Sequence, residues 1–169
     1  LQVASVSGEA AQRTDLVKAQ LARERQRTAA AAAGKAEFLE SLQLAVSFEQ
    51  PATGPALERI CELFERTTQF NTTGRRYSAG ELAEAASEGR VFSARARDRF
   101  GDYGLVAAAV IEGDEIAAFA MSCRVIGLDV EHRFLGFVLD HLADGRAEAL
   151  GRIIETSRNG PVRNLYADN

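Results

Sequence analysis

Residues 105–127 read LVAAAVIEGDEIAAFAMSCRVIG. Two apolar runs, LVAAAVI and EIAAFAMSCRV, flank EGDE, and the Gly113-Asp114 pair inside it is a hairpin-tip signal. Both runs have strand length and turn residues at their ends, so both are predicted strands. Beyond them Val130, Phe134, Leu135, Val138 and Leu142 recur at spacings of three and four, which predicts a helix from Val130 to about Leu150.

Toward the N-terminus, FGDYG reads as a turn with two glycines, and VFSARAR (residues 91–97) as a strand or its edge. Ser78 and Glu81 have capping-box spacing ahead of Leu82 and Ala85. PALERICELFERTTQF places Leu57, Ile60, Cys61, Leu63 and Phe64 on one helical face, where Cys61 reads as a small core residue. LQLAVSF, bounded by Pro51 and Gly54, is a predicted strand. Toward the C-terminus, GRIIETS is a short strand, and Asn159 caps a final helix holding Pro161, Val162, Leu165 and Tyr166. This order predicts an α/β (α+β) fold over residues 43–169, a mixed, mostly antiparallel sheet flanked by helices. A sheet with this order normally continues past a last helix, so a further C-terminal hairpin is expected beyond YADN.

Residues 9–43, rich in Ala, Leu, Glu, Arg and Gln, predict helix with few apolar positions. The alanine run 29–33 stops at Gly34, and a second short helix covers residues 36–42. Residues 1–42 therefore read as a helical linker or hairpin. A net charge of −4 argues against a broad phosphate-backbone footprint, so no nucleic acid is expected. No apolar run approaches the roughly 20 residues of a membrane span. The first residues lack a basic start followed by an apolar core, and Cys61 and Cys123 form no disulfide framework; both point to the cytoplasm. His132 and His141 are too scattered for a metal site and read as surface residues.

One stretch breaks the pattern. TTQFNTTGRRYSAGEL, residues 67–82, is polar and nearly uncharged until two adjacent arginines and a tyrosine. It reads either as a helix end with its loop or as a binding surface.

Two motifs resemble the GNAT acyltransferase superfamily. Arg124-Val-Ile-Gly127, between a strand and a long helix, is similar to the start of its R/Q-x-x-G-x-G/A loop, whose N–H groups hold the pyrophosphate of coenzyme A. Asn159-x-x-Val162-x-x-x-Tyr166 is similar to its N-x-x-A-x-x-x-Y helix, in which the Tyr acts as general acid toward the departing thiolate. A sharper resemblance rests on TTQFNTTGRRYS, FGDYGLVAA, MSCRVIG and TSRNGPVRNLY, in that order over residues 39–166. These look like the C-terminal GNAT-like half of FkbH-like (HAD-IIIC type) proteins of polyketide-type biosynthesis.

The resemblance implies an acyltransferase that works with a haloacid-dehalogenase-type phosphatase domain in cis. That enzyme takes a glyceryl group from 1,3-bisphosphoglycerate, removes the phosphate and loads an acyl carrier protein. The chain has no DxDx(T/G) motif, so the phosphatase half, and the magnesium that belongs to it, are not expected here. The ligand of this half would be the carrier's phosphopantetheine arm, with no cofactor of its own. Cys123 and Tyr166 would be catalytic, and Arg124, Gly127 and Asn159 would hold the arm. Gln69, Asn71, Thr72, Arg75 and Asp102 would meet glyceryl or carrier.

The residues also allow plainer readings. Cys123 alternates with Phe119, Met121 and Val125, which predicts a core position as readily as a thiolate nucleophile favoured by Arg124. Asn159 and Tyr166 also fit a helix cap and a half-buried aromatic. Asp102 fits a turn, and Arg75, with Arg76 and Arg163, a solvated surface or an acidic carrier helix. Asp129 puts an anion where a pyrophosphate would sit, which disfavours free coenzyme A. An acetyl-CoA-dependent N-acetyltransferase and a non-catalytic carrier-docking module are the alternatives.

Overall fold

The computed structural model describes residues 17–18, 20–25, 34–142 and 149–167. Residues 17–18 and 20–25 are helical, and α1 spans Lys35–Leu42; the alanine run 29–33 and residues 143–148 lie outside the described residues. The further elements are β1 (Ala45–Glu49), α2 (Pro55–Arg66), α3 (Ala79–Ser87), β2 (Val91–Asp98), β3 (Gly101–Glu112), β4 (Glu115–Met121), α4 (Val130–Leu142) and β5 (Leu150–Gly151). The strands form one sheet in chain order, mostly antiparallel, with β5 parallel to β4. The fold is the mixed α/β arrangement expected, with helices flanking the sheet.

The described residues up to Ala45 group with Ala96–Gly104 into one compact unit, and Val46–Arg95 with the residues from Leu105 onward form the other. In the first unit Asp98 organises the turn. Its Oδ1 accepts from the Phe100 and Gly101 N–H groups at 2.8 and 3.2 Å, and its Oδ2 from Tyr103 Oη at 2.8 Å. Arg23 Nε donates to the same Oδ2 at 3.1 Å, and its guanidinium lies 4.3 Å above the Tyr103 ring. FGDYG is therefore mostly strand. The turn falls one residue earlier, because a buried carboxylate collects its N–H groups and β3 starts at Gly101.

In the second unit the sheet is covered on both faces. Leu57, Ile60, Leu63 and Phe64 of α2 and Leu82, Ala85 and Ala86 of α3 cluster with Ala108, Val110, Ala118 and Ala120. The small strand residues let these helices approach the sheet closely. Across β4 lie Phe119 and, from α4, Phe134 and Phe137, which meet Phe48 and Phe92 with ring centroids 4.8–6.1 Å apart. Double coverage explains why LVAAAVI and IAAFAM do not alternate: every position from Leu105 to Ile111 and from Ile116 to Met121 is buried. The pairs Ala107↔Met121 through Val110↔Ala118 set the hairpin register, which shifts between Val110 and Ile111 near the Gly113 turn.

The capping box is complete. Ser78 Oγ accepts from the Glu81 N–H at 3.2 Å, and Glu81 Oε2 accepts from the Ser78 N–H at 2.8 Å. Those bonds hold the Glu81 carboxyl below its ordinary range, the backbone N–H first and the hydroxyl second.

Two expected elements differ. Leu150 opens a strand instead of closing a helix, and β5 pairs with β4 only at Glu115↔Leu150 and Ile116↔Gly151. The final helix is a single 3₁₀ turn, Gly160–Val162, because Asn159 spends its side chain elsewhere and caps nothing.

Candidate functional site

Past Ile116, β5 leaves β4, and the polar stretch of the sequence fills the wedge between them. The Met121 N–H donates to the Phe70 carbonyl at 2.8 Å, and the Thr72 N–H to the Phe119 carbonyl at 2.9 Å. Thr72 Oγ1 accepts the Phe119 N–H at 3.0 Å, and Asn71 bridges Ala120. On the other side, the Ile154 N–H donates to the Thr72 carbonyl at 2.8 Å. Residues 70–72 thus act as a short extra strand that finishes the edge of β4.

Asn159 ties this wedge together. Its Nδ2 donates to the Asn71 and Ile154 carbonyls at 3.1 and 2.9 Å, and its Oδ1 accepts the Thr156 N–H at 2.8 Å. Asn71 is saturated as well: its Oδ1 accepts the Thr73 and Gly74 N–H groups at 3.3 and 2.8 Å, and its Nδ2 donates to the Thr67 carbonyl at 3.4 Å. These two side chains hold the backbone, and each polar atom of their amides has a backbone partner.

Tyr166 closes the wedge. A Cβ on Gly151 would stand 2.5 Å from its ring, so the ring rests on bare backbone. Gly151→Ala is expected to displace Tyr166 and to cost about 1–3 kcal/mol of stability in a urea titration, as overpacking does. The Tyr166 hydroxyl faces the Thr72 side chain, whose Oγ1 accepts the Phe119 N–H, without completing a hydrogen bond of normal geometry. Burial pushes this phenol up to about 12; Thr72 pulls it down and Glu115 raises it further. Burial likewise pushes Tyr77 up to about 12.

Both phenols therefore favour folding while protonated. Their contribution is full below the free-tyrosine value near 10 and is lost as pH rises toward 12. Two of the three tyrosines should titrate late in an absorbance measurement at alkaline pH, and stability should fall over the same window. Titration of all three near 10 in the folded state would contradict the burial.

β4 ends at Met121, and the chain turns outward through Ser122 into a 3₁₀ turn, Cys123–Val125. Cys123 is consequently exposed and does not follow Phe119 and Met121 into the core. Strand alternation allowed a buried thiol because it took the strand to run to Val125, four residues past its end at Met121. Arg124, half-buried, donates from Nε to Ser122 Oγ at 3.1 Å. Gly127 has φ 82° with open space around it, so it serves the turn.

Asp129, also left-handed at φ 64°, takes His132 Nδ1 at 2.9 Å and lies 3.9 Å from Arg133 Nε. A carboxylate of the chain itself thus occupies the start of α4. His141 is exposed and bonds the Phe137 carbonyl at 2.7 Å.

Of the expected site residues, Asn71, Thr72 and Asn159 come together in the wedge with Tyr166, which rests on Gly151 opposite Ile116, whereas Cys123, Arg124 and Gly127 follow the Met121 end of β4. Gln69 is exposed beside them. Arg75 lies further along, bonded to Glu112 Oε1 at 2.6 Å. Asp102 belongs to the first unit, where its Oδ1 accepts the Gly104 N–H at 2.7 Å. Cys61 donates to the Tyr77 carbonyl at 3.3 Å, its thiol pushed up by burial, then by Glu65 and Glu81, as befits a packing residue. Sequence reasoning missed Ser122, which steadies both the turn and Arg124; its place between strand and arginine was the available signal.

Among the described residues no three His, Cys, Asp or Glu side chains converge as metal ligands, and no helix is long and apolar enough to cross a membrane. Compared with protein-family models, curated proteins and solved structures, the chain gives no match.

Proposed function

We propose that the chain is the transfer half of a glyceryl-loading enzyme: a GNAT-like, FkbH-like domain working in the cytoplasm with an acyl carrier protein and a phosphatase domain in cis. The observation that carries this reading is the position of Cys123, exposed where β4 ends and next to Arg124. In the proposed chemistry the Cys123 thiolate attacks the acyl carbon of 1,3-bisphosphoglycerate, a C–S bond forms, the acyl C–O bond breaks and inorganic phosphate leaves. The phosphatase half hydrolyses the remaining phosphate ester. The carrier's pantetheine thiol then attacks the thioester, the bond to Cys123 breaks, and the proton given up by the incoming thiol passes through Tyr166 to the departing cysteine.

Asp129, held with His132 at the start of α4, weighs against free coenzyme A as the ligand, since its charge opposes a pyrophosphate. The pantetheine arm, with a single phosphodiester, is the better fit. The commitment of the Asn71 and Asn159 amides to the backbone favours a second reading, a module that only docks the carrier.

Incubating the full-length enzyme with 1,3-bisphosphoglycerate and following intact mass tests both. A glyceryl adduct is expected on the native enzyme and none on Cys123→Ala. An adduct that survives the substitution would sink the nucleophile assignment. Carrier loading with no enzyme adduct would support docking alone.

A further inference from the structure

β5 is one edge of the sheet. The Leu150, Arg152 and Ile154 N–H groups all turn inward, to the Asp114, Ile116 and Thr72 carbonyls at 3.2, 3.1 and 2.8 Å. Alternation along the strand therefore turns the backbone N–H and C=O groups of Gly151 and Ile153 outward, where neither has a hydrogen-bond partner among the described residues. An open edge is normally blunted by free charge, by proline or by a covering segment. Here Leu150 is 65% exposed and Ile154 53%, and these are the two exposed large apolar side chains described in the second unit. They stand on one face of the strand with Arg152 between them. Arg152 brings no free charge, since its Nε and Nη2 donate to the two Glu115 carboxylate oxygens at 2.9 and 2.5 Å.

This pattern is its own complement. An antiparallel second copy centred on Arg152 sets Leu150 against the partner's Ile154 and Gly151 against the partner's Ile153, each pair occurring once on either side of the two-fold axis. The Gly151–Ile153 pairs are the hydrogen-bonded ones and exchange both of their backbone bonds. The Leu150–Ile154 pairs are the non-hydrogen-bonded ones, in which side chains approach most closely. On the opposite face Gly151 has no side chain and carries the Tyr166 ring, so the partner's Ile153 finds room and an apolar neighbour there. At the centre the two arginines face each other, each offset by its own Glu115. A register one step to either side would set Arg152 against Leu150 or Ile154 instead.

We propose that this edge docks on the same edge of a second copy of the chain, forming a symmetric dimer through one continuous sheet. Sedimentation velocity over a concentration series of the full-length protein tests it. A reversible dimer is expected, with a Kd on the order of 10–100 μM, because so short an edge buries less than the roughly 1,200 Å² of a stable interface. Ile153→Pro should abolish it and spare the fold, since the N–H it removes points away from β4. Leu150→Glu and Ile154→Lys should each weaken association by about fivefold or more at an unchanged thermal midpoint, both side chains being exposed. Mixed together, these two variants should recover near-native affinity, because the register sets the two changed positions against each other. Leu150→Glu mixed with Leu150→Lys should stay weak, because position 150 never faces itself. Cys123→Ala should leave the dimer intact, which separates this surface from the transfer chemistry. A protein that stays monomeric up to about 1 mM, as it would with a further strand of its own on this edge, would overturn the proposal. So would a dimer untouched by Ile153→Pro, or equal recovery in both mixtures.

Discussion

Phe119→Ala should lower stability by about 3–5 kcal/mol, read as a shift of the urea midpoint at an unchanged slope. Phe119 is fully buried in the middle of β4, and its ring lies 5.2 Å from Phe134 and 6.2 Å from Phe70. Removing the ring leaves a cavity between α4 and the sheet that neighbours pinned by backbone bonds cannot refill. Those bonds include the Phe119 N–H to Thr72 Oγ1 and the Thr72 N–H to the Phe119 carbonyl. The loss should also be uneven. Amide exchange should quicken first over residues 70–72, which lean on the ring through Phe70 and on the strand through three hydrogen bonds. Phe119→Leu, which keeps most of the volume, should cost less than half as much; equal costs would show that the cavity is not the cause of the loss.

Asn159→Ala should cost about 2–4 kcal/mol, large for a polar residue outside any regular helix or strand. Asn159 is 1% exposed, and its amide satisfies the Asn71 carbonyl, the Ile154 carbonyl and the Thr156 N–H together. Alanine strands all three. Asn159→Asp is the sharper test, since it turns the donor that faces two carbonyls into an acceptor. The aspartate should be at least as destabilising as alanine, and its penalty should shrink at low pH, where a protonated carboxyl can donate again. If both variants unfold like the native chain, the wedge is held by other means. Exposed Gln69→Ala is the matched control and should leave the midpoint within about 0.5 kcal/mol.

Much of the architecture was legible in the residues because it rests on local rules. The EGDE turn, the Ser78–Glu81 box and the periodicity of α2 and α4 depend on neighbours within a few positions. The element order follows from them. The failures share one cause, which is partners far apart in sequence. Asp98 moves the β2–β3 turn by taking the Phe100 and Gly101 N–H groups, and Arg23, 75 positions away, holds its carboxylate in place. Asn159 gives up its capping role because Asn71, 88 positions earlier, offers a carbonyl. Cys123 faces out because β4 stops where Phe70 pairs with Met121.

By itself, then, the sequence determined a mixed α/β chain with a doubly covered hairpin at its centre, because strand length, helix period and turn chemistry are properties of short segments. The polar run 67–82 read equally as loop or surface. Tertiary structure split it: residues 70–72 become a strand that completes β4, while Arg75 turns away to bond Glu112. Only the folded chain could decide that, since a backbone N–H or a buried hydroxyl is satisfied by whatever the fold brings next to it, and no segment carries that information alone.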